Sequence, residues 1–142
     1  MKQKREWHEK FRWFFTSSGK LVIGGKSAEQ NEEVIKKHLD KNDLVMHTYM
    51  PGSPFAVIKA GEEKVQESDI KETAIFTASF SRAWREGKKN VEVHIFKPEQ
   101  IVKEKRSKKG SFTVLGEIQN VKAELKLALT FQNNKPLDLK RE

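Results

Sequence analysis

The sequence of 142 residues contains no cysteine. That absence excludes a disulfide scaffold, a zinc site built on thiolates and a catalytic cysteine. The chain also has no apolar run near the ~20 residues that a membrane-spanning helix needs. Its basic first residues lack an apolar segment long enough for a signal peptide. We therefore expect a cytoplasmic protein with no membrane partner.

Positive charge predominates among the ionisable residues of the sequence. Lys and Arg number 28 against 20 Asp and Glu, so the formal net charge is +8. An excess of this size attracts polyanions, chiefly nucleic acid or an acidic membrane surface. The nine Phe, three Trp and one Tyr are too many for a disordered chain. The length suits one domain with its own core.

Hydrophobic patterning predicts a single α+β domain over residues 1–142, with a mixed, mostly antiparallel sheet of about seven strands and two long helices. The predicted strands are 11–16, 20–23, 43–48, 55–59, 91–97, 111–115 and 121–131. One helix starts at Ser27, where Gln30 completes a capping-box pattern. The second runs from an N-cap at Ser68 to about Glu86 and is apolar on most sides, so it should be buried. Residues 132–142 are polar and expected to fray.

The segment LVIGGKSAEQNE, residues 21–32, has the strongest local pattern. Two glycines between a strand and a capped helix bring backbone N–H groups together, and the helix dipole adds positive potential. Phosphate binds well at such a place, and Lys26 would add a charge. The P-loop pattern is absent. The alternative is a tight turn without a ligand, in which Gly24 or Gly25 has a positive φ.

A basic block extends from Arg85 to Lys109. It holds nine Lys and Arg against four Glu, an excess of five positive charges in about a sixth of the chain. Lysines on loops of this kind pair with phosphates in a salt-dependent way. A loop that is merely solvated is the alternative.

Aromatic residues and histidines give weaker signals. His47 precedes a Pro-Gly turn, where it could contact a base or a phosphate, or only satisfy a backbone carbonyl. The run FRWFF, residues 11–15, must show rings on both faces of a strand. Either both faces enter the core, or one of them is a stacking surface for bases.

Catalytic signals are few. The four histidines show no metal-ligand spacing, so we expect neither a metal nor a cofactor. Glu124 and Lys126 on the last strand are typical of half of a metal-dependent nuclease site. A solvent-facing row of charges explains the same pattern equally well. No small-molecule substrate is indicated.

Four segments together resemble a known family: KFRWFFTSSGKLVIGGKSAEQNEEVIKKHL, DLVMHTYMPGSPFAVIK, FSRAW and KKGSFTVLGE. They resemble the NFACT-R domain, the RNA-binding module of the NFACT proteins of ribosome quality control, from about Trp7 to Gly116. The resemblance implies RNA as the partner, either transfer RNA or ribosomal RNA, and with it the large ribosomal subunit. We expect the stand-alone form, which is linked to RNA or tRNA modification.

The sequence departs from the family at one motif. Full-length members read His-Ala-Asp where this chain reads His47-Thr48-Tyr49. The missing carboxylate puts in doubt any role that needs one there, whereas a neutral turn favours phosphate contact. Some family members are named fibronectin-binding proteins, but adhesion is not expected without a signal peptide.

We predict a non-enzymatic domain that grips structured RNA by its phosphates. The alternatives are an RNA-processing or RNA-modifying enzyme around Glu124 and Lys126, and an adaptor for an acidic protein. The predicted RNA-binding residues are Arg12, Gly24, Gly25, Lys26, Gln30, Asn31, His47, Gly52, Ser53, Arg82, Trp84, Lys88, Lys89, Lys103, Lys105, Arg106, Lys108 and Lys109. Trp7 and Trp13 are further candidates for stacking on a base.

Overall fold

The structure, a computed structural model, describes residues 6–48, 53–81, 86–87 and 89–124. Its strands are β1 (Arg12–Phe15), β2 (Leu21–Gly24), β3 (Leu44–Thr48), β4 (Ala56–Ile58), β5 (Asn90–Phe96), β6 (Ile101–Val102), β7 (Thr113–Val114) and β8 (Gln119–Glu124). The helices are α1 (Ala28–Lys37) and α2 (Glu67–Ser79), and single 3₁₀ turns span Trp7–Lys10 and Pro98–Gln100.

Six strands form one sheet in the order β1-β2-β4-β3-β5-β8, and β6 pairs with β7 in a second, small sheet. Every pairing among the described strands is antiparallel. The predicted α+β class with a mostly antiparallel sheet is confirmed. Within the basic block, Ile101 and Val102 are not part of a loop, because they pair with Val114 and Thr113.

The two helices lie on opposite faces of the six-stranded sheet. On one face, Ala74, Phe76 and Ala78 of α2 join a core built on Phe14 and Met46. On the other face, Val34 and Ile35 of α1 join a second core with Ile23, Val45, Val57 and Phe96. The alternation of side chains along each strand supplies both cores at once, which is why FRWFF can be aromatic on both faces.

Helix α1 starts where the sequence predicted. The Ser27 hydroxyl accepts a hydrogen bond from the backbone N–H of Gln30 at 3.2 Å. The Gln30 side chain reaches one residue beyond the standard box, because its Oε1 accepts from the N–H of Lys26 at 2.9 Å. The bond to Ser27 satisfies an N–H group that the helix itself leaves unpaired, and the bond to Lys26 ties the preceding residue to the first turn.

Helix α2 differs from the prediction at both ends. It begins after Gln66 rather than Ser68, because the Asp69 carboxylate accepts from the N–H of Gln66 at 2.8 Å. It ends at Ser79 rather than near Glu86. The hydroxyls of Ser79 and Ser81 donate to the carbonyls of Phe76 and Ala78 at 2.8 and 2.7 Å, in competition with the helical pattern. The helix is largely buried, as predicted, but Thr73 and Thr77 are buried with its apolar residues.

Charged groups fix the start of α2 to the turn between β1 and β2. The buried Lys20 ammonium lies 3.2 Å from Asp69 Oδ2, and the Ser18 hydroxyl donates to Asp69 Oδ1 at 2.7 Å. Ser17 donates to Glu72 from both its N–H and its hydroxyl, at 2.8 and 2.6 Å. Removing one partner of such a buried pair costs about 3–5 kcal/mol. These charges are therefore committed to contacts within the fold and are not available to a ligand.

Candidate nucleic-acid interface

The predicted site residues converge on one end of the six-stranded sheet. Arg12 pairs with Gly24 in register, and Gly24 pairs with Ala56. Helix α1 begins directly after β2 at this end, which we name the α1 end. His47 near the end of β3 and Lys89 before β5 lie at the same end. The predicted residues Gly52, Arg82, Trp84 and Lys88 lie outside the described residues.

A buried carboxylate docks the basic loop, which we define as residues 103–111, against α1. Glu32 Oε2 accepts from the N–H of Gly110 at 2.6 Å. The Lys103 ammonium lies 3.0 Å from Glu32 Oε1, and it also donates to the carbonyls of Lys108 and Ser111 at 2.7 and 3.0 Å. The loop is therefore held at both of its ends against the first two turns of the helix.

Close backbone packing adds to this contact. Gly110 has a φ of +83°, a region that favours glycine. A Cβ at Gly110 would lie 3.0 Å from the Cα and the carbonyl oxygen of Ala28. Because glycine has no side chain, the loop can lie directly against Ala28, the first residue of α1.

The loop cations divide into one internal residue and four exposed ones. Lys103 is about three-quarters buried, and its ammonium lies 5.0 Å from the centre of the Phe112 ring. The Lys103 ammonium already has three partners within the protein, namely Glu32 and the carbonyls of Lys108 and Ser111. Contact between Lys103 and RNA stays a prediction. The exposed cations are Lys105, Arg106, Lys108 and Lys109, and Lys26 is exposed at the adjacent start of α1.

Glu32 holds the basic loop against α1, and the sequence did not indicate this role. Burial by itself raises its pKa, but hydrogen bonds from Gly110, Lys103 and Lys36 lower the pKa to about 2. The carboxylate is therefore charged at neutral pH. The available signal was its position three residues before the buried Ile35, on the inner face of α1.

The two glycines after β2 are explained by packing within the protein. Neither has a positive φ, so the expectation of a left-handed turn is wrong. A Cβ at Gly24 would lie 3.1 Å from the Phe76 ring, and one at Gly25 would lie 2.2 Å from Asn31 Oδ1. Asn31 Oδ1 in turn accepts from the N–H of Phe55 at 3.0 Å. The RNA contacts predicted for these glycines stay predictions.

Gly25→Ala should destabilise the domain by about 2 kcal/mol, because the new methyl group displaces Asn31 from Phe55. In thermal melting this corresponds to a Tm lower by roughly 4–8 °C. Gly24→Ala is the matched control, with a smaller expected loss because its new methyl group comes closest to the Phe76 ring, at 3.1 Å, and not to a backbone atom. A Gly25→Ala protein that melts like the wild type but no longer binds RNA would instead indicate a ligand at this glycine.

Gln30 and Arg12 are also held by the fold. Gln30 Nε2 donates to the carbonyl of Lys10 at 3.0 Å, which joins α1 to the turn before β1. The Arg12 guanidinium lies 4.0 Å from the centre of the Phe80 ring, in the range of a cation–π contact. Burial lowers the pKa of Arg12 from its ordinary value. RNA contact by either side chain stays a prediction.

His47 lies half-buried at the end of β3. Its ring packs on Phe55, with centroids 4.4 Å apart and an interplanar angle of 31°. The pKa of His47 is lowered to about 4, mainly by burial. The nearby His94 also lowers this pKa, and hydrogen bonding with Thr48 opposes the shift. The buried Ser53 closes the turn, because its hydroxyl accepts from the N–H of Thr48 and donates to the carbonyl of Pro54, both at 3.1 Å.

The His47 imidazole should stay neutral from pH 8 down to pH 5 in NMR titrations. The unfolded chain takes up this proton near pH 6.5, and the folded chain does so only near pH 4. The free energy of unfolding should therefore fall as the pH is lowered through this window. Urea unfolding at pH 7 and pH 5 measures the effect, and His47→Gln should reduce it. A His47 resonance that titrates near pH 6.5 would contradict the environment described.

The exposed rings lie away from the basic loop. Phe14 is fully buried against Phe76, whereas Phe15 and Trp7 are each 47% exposed. The expectation that both faces of FRWFF enter the core is therefore wrong for Phe15. Trp7 stacks on His38, with centroids 4.6 Å apart, and Trp13 is half-buried. Their stacking on a base stays a prediction.

The described part of the chain offers neither a metal-binding cluster nor a membrane-spanning helix. Those residues contain no group of three or more His, Asp or Glu that could hold a metal ion. None of their helices has the length and apolar character to cross a bilayer. Glu124 ends β8, but Lys126 lies outside the described residues, so the predicted pair has no geometry to assess.

A docked basic loop at one end of the sheet is the kind of positive surface that nucleic-acid-binding domains present. Residues 10–116 match the family model described as the NFACT protein RNA binding domain. The chain belongs to this family. The resemblance inferred from the sequence is thereby confirmed.

The chain is similar to parts of two longer proteins, one of which is named as a subunit of the ribosome quality control complex. It is 43% identical over 121 residues to the archaeal Rqc2 homolog aRqcH of Methanocaldococcus jannaschii, covering 82% of this chain and 18% of that protein. It is 34% identical over 83 residues to human ribosome quality control complex subunit NEMF, covering 58% of this chain and 8% of that protein. The chain thus spans less than a fifth of either relative.

A solved structure shares the fold. The C-terminal part of the fibronectin/fibrinogen-binding protein of Streptococcus suis superposes with a TM-score of 0.72, over 86% of this chain and 47% of that one. At 22% sequence identity, this likeness concerns the fold alone.

Proposed function

We propose that the chain is a non-enzymatic RNA-binding domain that grips a structured RNA, transfer RNA or ribosomal RNA, through its phosphates. The grip consists of the basic loop and Lys26. The proposal places the domain in cytoplasmic ribosome quality control or in tRNA modification, with the large ribosomal subunit as a possible site of action. The docking of the basic loop by Glu32 is the observation that carries it.

A docked loop favours a phosphate grip, because it is already ordered before RNA binds. Ordering a free loop on binding costs about 1–2 kcal/mol per residue, which would consume the gain from surface charges. Here the hydrogen bond between Glu32 and Gly110 orders the loop backbone before RNA binds, so the backbone that carries the exposed cations needs no rearrangement. The net charge of +8 adds long-range attraction for a polyanion.

The absence of a catalytic role is part of the proposal. At the α1 end, Glu32 is committed to the loop, Glu104 accepts from the Thr113 hydroxyl, and Glu29 lies exposed in the first turn of α1. These carboxylates are not part of any group of three or more His, Asp or Glu among the described residues that could hold a metal ion for RNA cleavage. RNA incubated with the protein and Mg²⁺ should be recovered intact.

Salt dependence of RNA binding tests the proposal. Contacts from Lys26 and the four exposed loop cations to five phosphates predict a slope of about −4.5 for log affinity against log salt on duplex RNA. Filter binding of labelled total tRNA and of a model duplex, between 50 and 200 mM salt, measures it. A slope near zero, or no binding at 50 mM, would refute a phosphate grip.

A further inference from the structure

The sheet face that α1 covers at β2 carries polar side chains at β5 and β8. On this face His94 pairs with Asn120 in register, and Glu92 pairs with Lys122. The side chains of Glu92, Asn120 and Lys122 are exposed, and that of His94 is a quarter exposed. His47 is the register partner of His94 on β3. We define these five residues as the open strip.

A row of rings joins the open strip to the basic loop. The His47 ring packs on Phe55, and Phe55 meets Phe112 edge to face with centroids 5.5 Å apart. Phe112 is the last ring of this row, and the Lys103 ammonium lies 5.0 Å from its centroid. Packed rings on the sheet face that α1 covers therefore connect the open strip with the start of the basic loop.

The chemistry of the open strip differs from that of the loop. Glu92 lies opposite Lys122, so their charges offset each other, and Glu92 would repel a phosphate. An imidazole offers a flat ring with hydrogen-bonding nitrogens, and the Asn120 amide offers both a donor and an acceptor. Flat rings with neutral donors and acceptors suit a nucleobase, which has a π-face and hydrogen-bonding edges.

We propose that the open strip binds an unpaired nucleobase of the RNA whose phosphates contact the basic loop, with His94 as the stacking residue and Asn120 as the group that contacts the base edge. This inference rests on the proposed function. The base must be unpaired, because the bases of an A-form duplex stay stacked and their major groove is too narrow for side chains. The preferred RNA is therefore a loop or a single-stranded end beside a stem.

The test compares two RNAs matched in their number of phosphates, a hairpin with an unpaired loop and a blunt duplex in which added base pairs replace the loop nucleotides. Fluorescence anisotropy of the full chain should show about tenfold tighter binding of the hairpin, the scale of stacking one base on a ring. His94→Ala should reduce this preference to less than threefold and leave the salt slope on the duplex unchanged. His38→Ala is the matched control, because its imidazole is also 25% exposed and lies against Trp7.

The outcomes separate this inference from the proposed function. Equal wild-type affinity for hairpin and duplex, or a preference that survives both His94→Ala and Asn120→Ala, overturns the open strip as a base site while the phosphate grip stands. Absence of binding to both RNAs at 50 mM salt overturns both proposals. Loss of the preference in His94→Ala, but not in His38→Ala, supports the base site.

Discussion

Replacing Lys105, Arg106, Lys108 and Lys109 together by alanine should nearly abolish the salt dependence of RNA binding. The wild-type affinity should fall about 500-fold between 50 and 200 mM salt, since five phosphate contacts give a slope of about −4.5. The variant keeps only Lys26, so its slope should be about −1 and its affinity should fall only about fourfold. Filter binding with a labelled duplex RNA measures both slopes.

A variant with the same loss of charge is the control. Lys37, Lys41, Lys64 and Lys71 are exposed and lie away from the α1 end, near the end of α1 and the start of α2. Their replacement by alanine lowers long-range attraction equally but should leave the slope near −4.5. If both quadruple variants change the slope alike, RNA binding depends on net charge and not on the basic loop.

Glu32→Gln should weaken RNA binding even though it removes a negative charge next to the basic loop. The amide cannot hold both the Lys103 ammonium and the N–H of Gly110 as the carboxylate does. Loss of one partner from a buried pair leaves the other charge uncompensated, at a cost of about 2–4 kcal/mol for a lysine that keeps some exposure. With the loop released, affinity should fall about tenfold, which equals ~1.4 kcal/mol.

Glu33→Gln is the matched control for this prediction. It removes the same charge from the next residue of α1, where Glu33 forms an ion pair with the exposed Lys10. Surface pairs contribute about 0–1 kcal/mol, so stability should change little and RNA affinity should stay equal or rise. Urea unfolding and filter binding measure the two variants. Equal RNA affinity in both would show that docking of the loop is irrelevant to binding.

The pH dependence of stability offers a second view of Glu32. Its pKa is about 2 in the folded chain and near the ordinary value of 4.5 in the unfolded chain. The stabilisation is therefore present above about pH 4.5 and is lost as the pH falls towards 2. Glu32→Gln should lack this component of acid unfolding.

Local signals in the sequence predicted the elements that depend on local interactions. The start of α1 follows from Ser27 and Gln30, which bond within one turn. The alternation in β8 is confirmed where it is described, with Ala123 buried and Lys122 exposed. The early end of α2 was missed, because hydroxyl groups of Ser79 and Ser81 compete for helical carbonyls and periodicity does not register that competition.

Contacts between distant segments explain what the sequence could not predict. Glu32 and Lys103 are 71 positions apart, and nothing in the helix pattern or in the basic run indicates that they meet. Lys103 was therefore grouped with the exposed lysines, although its charge is held within the protein. The sequence pattern at Gly24 and Gly25 indicated a ligand site. The folded chain explains both glycines by their packing against Phe76 and Asn31, which are distant or unremarkable in the sequence.

Mapping the RNA contact surface by NMR tests the central claim most directly. Amide resonances of the ¹⁵N-labelled chain would be followed while a short RNA hairpin is added. The account predicts shifts concentrated at the basic loop, Lys26, His47 and His94, with little change at Lys20 or Lys59. Shifts concentrated at Trp7 and Phe15, with the basic loop unaffected, would contradict it.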